Sequence, residues 1–385
     1  MTFTRSYLIT LAALLMLGLG FLGGYLFRTF QAPAEFPLLS EAHEILLLRG
    51  LKPPPEDPAL EYGMIRGMLQ AYQDSHTVFI EPPQAELDSQ ALEGKYGGIG
   101  VQMDRDPEGY WVLYPFPESP ARQAGIQDGD RLLAVESTEI EPATDSSIIQ
   151  AAVRGPVGQK VKVTVGRAPD YAPLEISIQR QEIALPSVTW RLDATQPKLG
   201  IVKVNLMAAS TANEILTAVE DLTGRGATHF ALDLRDNPGG LVDTGIEIAR
   251  LFLKDGVVIQ QQYRDRPVES FEVKESGPLS DLPFVVLING GSASASEIAA
   301  GALKARQRAQ VIGSPSYGKD TIQLVYELKD KSSLHITAAH WWVPGLEPEI
   351  SGHGVQPDIL VDPSTPTNGA DPVILAAIQA LFGAP

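Results

Sequence analysis

Two residues of this 385-residue sequence, Ser294 and Lys319, have surroundings suited to nucleophilic catalysis. Ser294 stands in the segment NGGSASASEI, between an apolar run typical of a strand and a run with helical spacing. A serine at such a turn is exposed, and backbone N–H groups at the start of the helix can bind an oxyanion. The position also has a structural interpretation, because Ser294 and Glu297 have the spacing of a capping box. The segment alone leaves both interpretations open.

A serine nucleophile needs a base, and the chain offers a lysine in an unusual setting. Lys319 lies in GSPSYGKDTIQ, after a glycine-rich turn and before a β-like run, rather than on a surface helix. A lysine acts as a base only when it is neutral, and burial lowers a lysine pKa towards about 7–8. Gln323 follows four residues later, so a turn or helix there would let its amide hold the amine.

The composition disfavours several other chemistries. Cysteine is absent, which excludes a disulfide framework, a thiol nucleophile and thiolate metal sites. Neither the G-x-S-x-G motif of serine hydrolases nor the H-E-x-x-H motif of zinc peptidases occurs. The net charge of −17 disfavours nucleic acid as a partner, because phosphate binding needs clustered Lys and Arg.

The elements that must position these residues alternate between strands and helices. Over residues 198–363, apolar runs such as LGIVKVNL, HFALDLRD and PFVVLING predict buried strands, and the runs between them have helical spacing. One of these helices is predicted to have Thr211 as its N-cap, with Glu214 completing a capping box. The alternation predicts a layered α/β core.

Four separated motifs resemble the carboxyl-terminal processing proteases, also called tail-specific proteases, which are Ser–Lys peptidases. The motifs are NGGSASASEIAAGALK, SYGKDTIQ, LDLRDNPGGLVD and ISGHGVQPDILV. The resemblance extends over residues 38–363 and implies a serine endopeptidase that cleaves near the C-terminus of protein substrates through an acyl-enzyme, with no metal or organic cofactor. It implies Ser294 as the nucleophile, Lys319 as the general base and Gln323 as the residue that orients the lysine.

The motif Asp233–Gly240 implies, by the same resemblance, one side of an oxyanion hole. We expect the backbone N–H of Gly240 to be its donor, with Gly239 as the alternative. The second donor implied by the resemblance is the backbone N–H of Ala295.

One residue departs from the family pattern, because Asp320 follows Lys319 where the family usually has glycine. Neighbouring side chains of an extended segment point to opposite faces, so one possibility is that Asp320 faces solvent. If it contacts the amine instead, it keeps Lys319 protonated. That arrangement would favour an alternative function, a membrane-tethered PDZ peptide-binding protein with a latent or inactive protease core. A Ser–His hydrolase that uses His353 is a third possibility.

Residues 94–182 resemble a PDZ domain, and the run YGGIGV matches its carboxylate-binding loop. The resemblance implies that successive backbone N–H groups bind the C-terminal tail of a protein substrate. The residues expected to do so are Tyr96, Gly97, Gly98, Ile99 and Gly100. The glycines have an alternative role, since they permit a turn. Arg154 is a regulatory candidate that is expected to contact the protease core and to couple peptide binding to activity.

The N-terminal segment Tyr7–Phe27 contains 21 residues without a charge and lies between Arg5 and Arg28. An apolar helix of about 20 residues spans a bilayer, so we expect a membrane anchor, with a cleaved signal peptide as the alternative. An anchor with its N-terminus inside would place the rest of the chain outside the cytoplasm, on the periplasmic or extracellular side.

The expected fold is therefore an α/β protease core, a layered β-sheet with flanking helices, with an inserted PDZ domain and a small N-terminal helical region. The sequence predicts five segments in this order: an anchor or signal segment at 1–30, a helical region at 36–93, a PDZ domain at 94–182, a Ser–Lys protease core at 183–364 and a C-terminal helix at 365–385.

Overall fold

The chain folds as two compact units, Met1–Tyr72 and Gln73–Pro385. The computed structural model describes residue 16 and residues 36–55, 58–362 and 370–383.

The first unit contains the two helices that the sequence predicts on either side of a proline-rich segment. They are α1 (Pro37–Arg49) and α2 (Ala59–Tyr72). The predicted anchor Tyr7–Phe27 lies outside the described residues, apart from Met16. Among the residues that are described, no helix is long and apolar enough to cross a bilayer.

The second unit contains strands and helices in alternation. Its helices are α3 (Pro82–Glu93), α4 (Pro120–Gln123), α5 (Ser146–Val153), α6 (Thr211–Gly224), α7 (Val242–Phe252), α8 (Ala295–Ala305) and α9 (Pro372–Phe382). Its strands are β1 (Val78–Ile80), β2 (Lys95–Gly98), β3 (Val101–Arg105), β4 (Trp111–Pro115), β5 (Asp130–Val135), β6 (Thr138–Glu139), β7 (Lys160–Gly166), β8 (Pro173–Gln179), β9 (Gln181–Ala184), β10 (Val188–Leu192), β11 (Leu199–Val204), β12 (His229–Asp233), β13 (Val257–Tyr263), β14 (Glu269–Glu272), β15 (Phe284–Ile288), β16 (Val311–Gly313), β17 (Thr321–Glu327), β18 (Ser333–Trp342) and β19 (Ile359–Leu360).

The core of this unit is a six-stranded sheet with the order β10-β11-β12-β15-β16-β19. β10 is antiparallel to β11, and the other neighbours are parallel. Side chains alternate along β11, so Ile201 joins the apolar cluster that includes Val373 of α9, whereas Val202 joins the cluster that includes Ile215 of α6. Helices therefore cover both faces, as a buried parallel sheet requires. The predicted layered α/β core is confirmed.

A second, antiparallel sheet packs on the helical layer. Its order is β1-β18-β13-β14, and β17 pairs with the other side of β18. Ile259, Ile322 and Trp341 from this sheet are buried in the same cluster as α6, α7 and α8. The sheet thereby fixes β17, the strand that follows Lys319, against the core.

The inserted domain is an antiparallel sheet with the order β3-β4-β5-β7-β8, with β6 beside β5. It has a core of its own, which includes Leu113, Ile149 and Val163. The strands that enter and leave the domain, β2 and β9, pair with each other from Lys95 opposite Ala184. The chain thus leaves the core after α3 and returns to it at β10, as expected for an insertion.

The predicted N-cap of α6 is wrong by one residue. The helix begins at Thr211, and Ser210 is its N-cap. Glu214 does not close a capping box with Thr211, because its Oε2 accepts hydrogen bonds from the N–H groups of Ser187 and Val188 at 2.8 and 2.9 Å. The carboxylate therefore ties α6 to β10, a long-range contact that the local spacing does not reveal.

Candidate active site

Three of the predicted motifs follow the carboxyl ends of neighbouring parallel strands. The segment with Gly240 follows β12, the segment with Ser294 follows β15, and the segment with Lys319 follows β16. These strands are adjacent and parallel, so their carboxyl ends meet at one edge of the sheet, where ligands bind in open α/β folds. The topology alone therefore brings the three motifs together.

Ser294 is the N-cap residue of α8 and has a positive backbone φ of 55° with a ψ of −119°. This conformation is uncommon outside glycine and stores strain on the order of 1–3 kcal/mol. The neighbouring serines hold the strained turn in place. The Oγ of Ser292 donates to the carbonyl of Leu234, and the Oγ of Ser296 donates to the carbonyl of Asn237, both at 2.8 Å.

Glu297 connects the serine turn to the lysine segment. Its side chain is fully buried, and its Oε2 accepts hydrogen bonds from the N–H of Ser294 at 2.8 Å and of Lys319 at 2.9 Å. Its Oε1 accepts from the Oγ of Ser316 at 2.6 Å and from the N–H of Gly318 at 2.7 Å. Burial raises the pKa of Glu297, and these hydrogen bonds oppose that rise. One carboxylate oxygen thus holds the backbones of Ser294 and Lys319 side by side.

The half-buried Lys319 amine donates a hydrogen bond to Gln323 Oε1, and the distance from Nζ is 2.7 Å. Burial lowers the pKa of Lys319, while the carboxylates of Asp74 and Glu297 oppose this effect. The expected contact is present, but neither a turn nor a helix produces it. Gln323 lies in β17, whose pairing with β18 shifts register between Ile322 and Gln323. The pairing skips Ala338, so the extra residue lies in β18 opposite Gln323, where such a bulge increases the local twist of the strand pair.

Asp320 and His353, on which the two competing hypotheses depend, contact groups other than Lys319 and Ser294. The Asp320 carboxylate is directed at β18, where its Oδ2 lies 3.4 Å from His340 Nδ1. The carboxylates that raise the pKa of Lys319 are those of Asp74 and Glu297. The ring of the exposed His353 lies 2.8 Å from the carbonyl of Ser351, measured from Nδ1.

The backbone N–H groups of Gly239 and Gly240 differ in their use. The N–H of Gly239 donates to Asn237 Oδ1 at 2.8 Å. Gly240 forms a parallel bridge with Met207, in which the N–H of Met207 donates to the Gly239 carbonyl and the N–H of Leu241 donates to the Met207 carbonyl. Neither bond of that bridge uses the N–H of Gly240.

Gly239 has a positive φ of 101° and lies directly against the serine turn. A Cβ added there would lie 2.8 Å from the carbonyl oxygen of Ala293, 2.9 Å from the Cβ of Ser294 and 3.1 Å from the nitrogen of Ala295. Only glycine lets this backbone approach the start of α8 so closely.

Comparison with known proteins identifies the family. Peptidase family S41 matches residues 198–361, and a PDZ domain matches residues 111–167. The carboxyl-terminal-processing protease of Synechocystis sp. is 34% identical over 333 residues, which cover 84% of this chain and 77% of that protein. The chain belongs to peptidase family S41, among the carboxyl-terminal processing proteases.

Two further relatives agree with this placement. The carboxyl-terminal-processing protease of Picosynechococcus sp. is 35% identical over 305 residues, which cover 78% of this chain and 72% of that protein. The carboxy-terminal processing protease CtpA of Bacillus subtilis is 30% identical over 304 residues, which cover 77% of this chain and 64% of that protein. The expectation of a serine-type endopeptidase with a PDZ domain is confirmed.

In this S41 peptidase, the PDZ domain has a cavity of about 700 Å³ between its β3 side and α5. Tyr96, Ile99 and Gly100 are among its lining residues. Gly97 and Gly98 have a packing role, since a Cβ on Gly97 would lie 2.1 Å from a backbone oxygen and a Cβ on Gly98 would lie 2.4 Å from the Tyr96 ring. The predicted loop thus contributes to the cavity through three of its five residues.

Arg154 lies at the end of α5 and also lines this cavity. Its guanidinium stacks on the Tyr96 ring, 4.3 Å from the ring centroid, and donates to Gln90 Oε1 at 3.2 Å. Gln90 belongs to α3, so Arg154 reaches outside the PDZ domain. The contact is with the helix that precedes the domain rather than with the residues around Ser294.

Sequence reasoning missed the segment Asp74–Thr77, which contacts Gln323. The carbonyl of His76 accepts a hydrogen bond from Gln323 Nε2. The two residues are 247 positions apart, so the run DSHTVFI can indicate a turn but not its contact with Gln323. The signal that was available is the polar Asp-x-x-Thr spacing, which is typical of a side-chain-stabilised turn.

Proposed function

We propose that this S41 peptidase cleaves protein substrates near their C-termini with a Ser–Lys dyad, in which Ser294 is the nucleophile and Lys319 the general base. The observation that carries the proposal is that one Glu297 carboxylate oxygen accepts from the backbone N–H groups of both Ser294 and Lys319. The half-buried amine of Lys319 contacts Gln323. Burial lowers the pKa of Lys319, and this favours the neutral amine that a base requires.

The reaction proceeds through an acyl-enzyme. The neutral Lys319 amine accepts the hydroxyl proton of Ser294 while Oγ attacks the carbonyl carbon of the scissile bond. The Lys319 ammonium then donates that proton to the leaving amine as the C–N bond breaks. A water molecule gives a proton to Lys319 and attacks the acyl carbon. Ser294 regains its proton from Lys319 as the new carboxyl group leaves.

The backbone N–H groups of Gly240 and Ala295 bind the oxyanion of each tetrahedral intermediate. Gly240 is favoured over Gly239 because the N–H of Gly239 already donates to Asn237. Gly239 lies close to the nitrogen of Ala295, and this supports the pairing of the neighbouring Gly240 N–H with the Ala295 N–H. The N-terminal end of α8 adds its positive dipole at the same point.

Substrate tails dock in the PDZ cavity before cleavage. The chain terminus binds at the loop formed by Tyr96, Gly97, Gly98, Ile99 and Gly100, and the tail adds as a strand beside β3. Docking delivers an upstream peptide bond to Ser294. The apolar lining of the cavity, which includes Met103 and Trp111, supports a preference for tails with apolar side chains.

Arg154 couples docking to catalysis through α3. Arg154 contacts Gln90 of α3, and the last turn of this helix accepts a hydrogen bond from Ala209 N–H at the carbonyl of Leu92. Ala209 follows the segment that bridges Gly240. A continuous chain of contacts therefore joins the tail-binding cavity to the proposed oxyanion hole.

The apolar segment Tyr7–Phe27 anchors the enzyme to a membrane, with the catalytic unit on the extracytoplasmic side. This proposal rests on the length and the lack of charge of the segment. Carbonate extraction of membranes, with N-terminal sequencing of the mature chain, separates an anchor from a cleaved signal peptide. A new N-terminus beyond Phe27 would refute the anchor.

The dyad is tested with fluorescently labelled casein and the full-length chain. We expect Ser294→Ala and Lys319→Ala to abolish casein cleavage, and Ser294→Ala also to abolish covalent labelling by a fluorophosphonate probe. Ser276→Ala is the matched control, because the Ser276 hydroxyl pairs with that of Ser280 at 3.1 Å in another part of the unit. Cleavage by Ser294→Ala at the wild-type rate would refute the nucleophile.

Docking is tested with peptides that differ only in a free or an amidated C-terminus. We expect the free carboxylate to bind more tightly, and Arg154→Ala to reduce the stimulation of casein cleavage by the peptide without abolishing basal cleavage. Equal binding of the two peptides would contradict the docking model.

A further inference from the structure

The segment Asp74–Thr77 forms a tight turn that its own side chains stabilise. The Asp74 carboxylate accepts hydrogen bonds from the N–H of His76 at 3.0 Å and from the hydroxyl of Thr77 at 2.6 Å. The N–H of Thr77 donates to the carbonyl of Asp74 at 3.2 Å. With Asp74 and Thr77 both bonded across it, the turn fixes the direction of the His76 carbonyl between them.

The turn is attached to the sheet directly beside Gln323. Thr77 is buried, and its Oγ1 accepts a hydrogen bond from the N–H of Thr337 at 3.2 Å. Thr337 is the residue opposite Gln323 in the pairing of β17 with β18. β1 follows the turn at once and pairs with Ser333–His335 of the same strand. The hydrogen bond of Thr77 to Thr337 and the pairing of β1 with β18 therefore hold the turn beside Gln323.

The His76 carbonyl determines which way the Gln323 carboxamide points. A carbonyl oxygen can only accept, so the group that faces it must be the amide nitrogen. Gln323 Nε2 does donate to this carbonyl, and Gln323 Oε1 therefore faces the Lys319 amine at 2.7 Å.

This orientation matters for a lysine that acts as a base. An amide oxygen accepts an N–H of Lys319 in both charge states, and the lone pair of the neutral amine is left for another donor. The reversed amide would donate to that lone pair and compete with the Ser294 hydroxyl for it. The two orientations of Gln323 thus predict different basicity for the same lysine.

We propose that the turn Asp74–Thr77 is a positioning element that acts through the His76 carbonyl, holding Gln323 in the orientation that leaves the Lys319 lone pair available to Ser294. The inference rests on the Ser–Lys mechanism proposed above. It assigns a role to residues 74–77, which contact neither the nucleophile nor its turn in the hydrogen bonds described.

Among the described residues, three titratable groups on the surrounding elements interact electrostatically with the Lys319 amine. They are Asp74 of the turn, Glu297 of α8 and His335 of β18. The two carboxylates raise the pKa of Lys319, against the larger effect of burial. Burial, and then Lys319 itself, lowers the pKa of His335, while Asp88 raises it. A substitution at Thr77 leaves all these charges in place, so it isolates the effect of the turn.

The experiment compares Thr77→Val with Thr77→Ser in the full-length chain. Valine removes the hydroxyl that joins Asp74 to Thr337, and serine keeps it. The control is Thr195→Val, because Thr195 bonds to Asp193 in a similar turn, with its N–H and Oγ1 at 2.9 and 2.7 Å, far along the chain between β10 and β11. Casein cleavage and the rate of fluorophosphonate labelling are measured from pH 5 to 10.

We expect Thr77→Val to lower the plateau rate by about 10-fold or more, since small misplacements of catalytic groups cost up to about 100-fold. The acid limb of its pH profile moves to lower pH, because an amide that donates to the lone pair stabilises the neutral amine. Thr77→Ser and Thr195→Val retain the wild-type profile. A merely structural loss lowers the plateau in proportion to the unfolded fraction and does not move the acid limb.

A Thr77→Val profile identical to that of Thr195→Val would overturn the proposal. Failure of the Ser–Lys mechanism is distinguishable, because Ser294→Ala would then still cleave casein whatever Thr77 does. If Thr77→Val does not fold, Gln323→Glu carries the test. A carboxylate has no donor for the His76 carbonyl, so we expect a lowered plateau even at high pH; a wild-type plateau there refutes the role of the turn.

Discussion

Gly239→Ala is the substitution whose effect on catalysis can be worked most directly from the structure. Its added Cβ meets the carbonyl oxygen of Ala293 at 2.8 Å and the Cβ of Ser294 at 2.9 Å, whereas ordinary contact begins at 3.4 Å. The Ser294 side chain must therefore move by about 3.4 − 2.9 = 0.5 Å relative to residue 239. The φ of 101° adds backbone strain on the order of 1–3 kcal/mol.

The chain offers a control with the same backbone strain and no clash. Gly226, in the turn between α6 and β12, has a φ of 98°, and no atom of the described residues lies within 4 Å of its added Cβ. Both alanine variants should lose about 1–3 kcal/mol of unfolding free energy from the positive φ. Only Gly239→Ala should also displace the nucleophile, and we expect its kcat to fall by about 10- to 100-fold.

The assay pairs urea unfolding with casein cleavage and fluorophosphonate labelling of both variants. The expected result is similar destabilisation with a loss of kcat in Gly239→Ala alone. A wild-type kcat in both variants would refute the reasoning, because it would mean that the approach of Gly239 to the serine turn has no bearing on the reacting geometry. An equal loss in both would instead attribute the effect to stability.

Three further predictions concern charge. The rate of casein cleavage should rise with pH through the titration of Lys319, whose pKa burial lowers, and a rate that is flat from pH 6 to 9 would contradict the lysine base. Glu297→Gln should destabilise the fold by about 1–3 kcal/mol in urea unfolding, since the new amide nitrogen leaves a buried N–H unpaired. The acid limb of the pH profile of casein cleavage should also move to lower pH, because a carboxylate that raises the pKa of Lys319 is gone. The hydroxyls of Thr337 and Thr77 lower the pKa of Asp74 from 3.8 to about 2, so the ionised Asp74 stabilises the fold above about pH 4 and this effect disappears as the pH falls to 2. The difference in unfolding free energy between the wild type and Asp74→Asn should therefore shrink from about pH 4 to about pH 2. A difference that stays constant over this range would contradict the prediction.

The sequence predicts the layered core and the approximate site because both depend on regular patterns. Apolar runs and helical spacing define the strands and helices, and a parallel sheet then requires the motifs after β12, β15 and β16 to meet at one edge. Ser294 is predicted twice, as a cap and as a nucleophile, and its position at the start of α8 is consistent with both.

The details that the sequence does not predict all depend on long-range contacts. Glu297 has the local spacing of a capping box, yet its second oxygen bonds to Ser316 and Gly318 some twenty residues away. Glu214 has the same spacing after Thr211 and bonds to β10 instead. Identical local patterns thus lead to different structures, because each carboxylate bonds to whichever N–H groups the tertiary fold brings to it.

The bulge opposite Gln323, at Ala338 of β18, is a second detail of this kind. Gln323 is four positions after Lys319, a spacing that favours contact on a helix and prevents it in a regular strand. The contact forms where the pairing of β17 with β18 skips Ala338, a feature of the partner strand that the local sequence around Lys319 does not reveal.

The arrangement around Lys319 explains why a neutral side chain contacts its amine in a chain with a net charge of −17. Two carboxylates are near, and both hold other donors: Asp74 accepts from the N–H of His76 and the hydroxyl of Thr77, and Glu297 accepts from four donors. The group that contacts Nζ is the amide oxygen of Gln323, which stabilises an ammonium less than a carboxylate does. Burial then has the larger effect on the pKa of Lys319 and lowers it. A carboxylate in place of Gln323 would reverse that balance, so glutamine at this position favours a lysine that can act as a base.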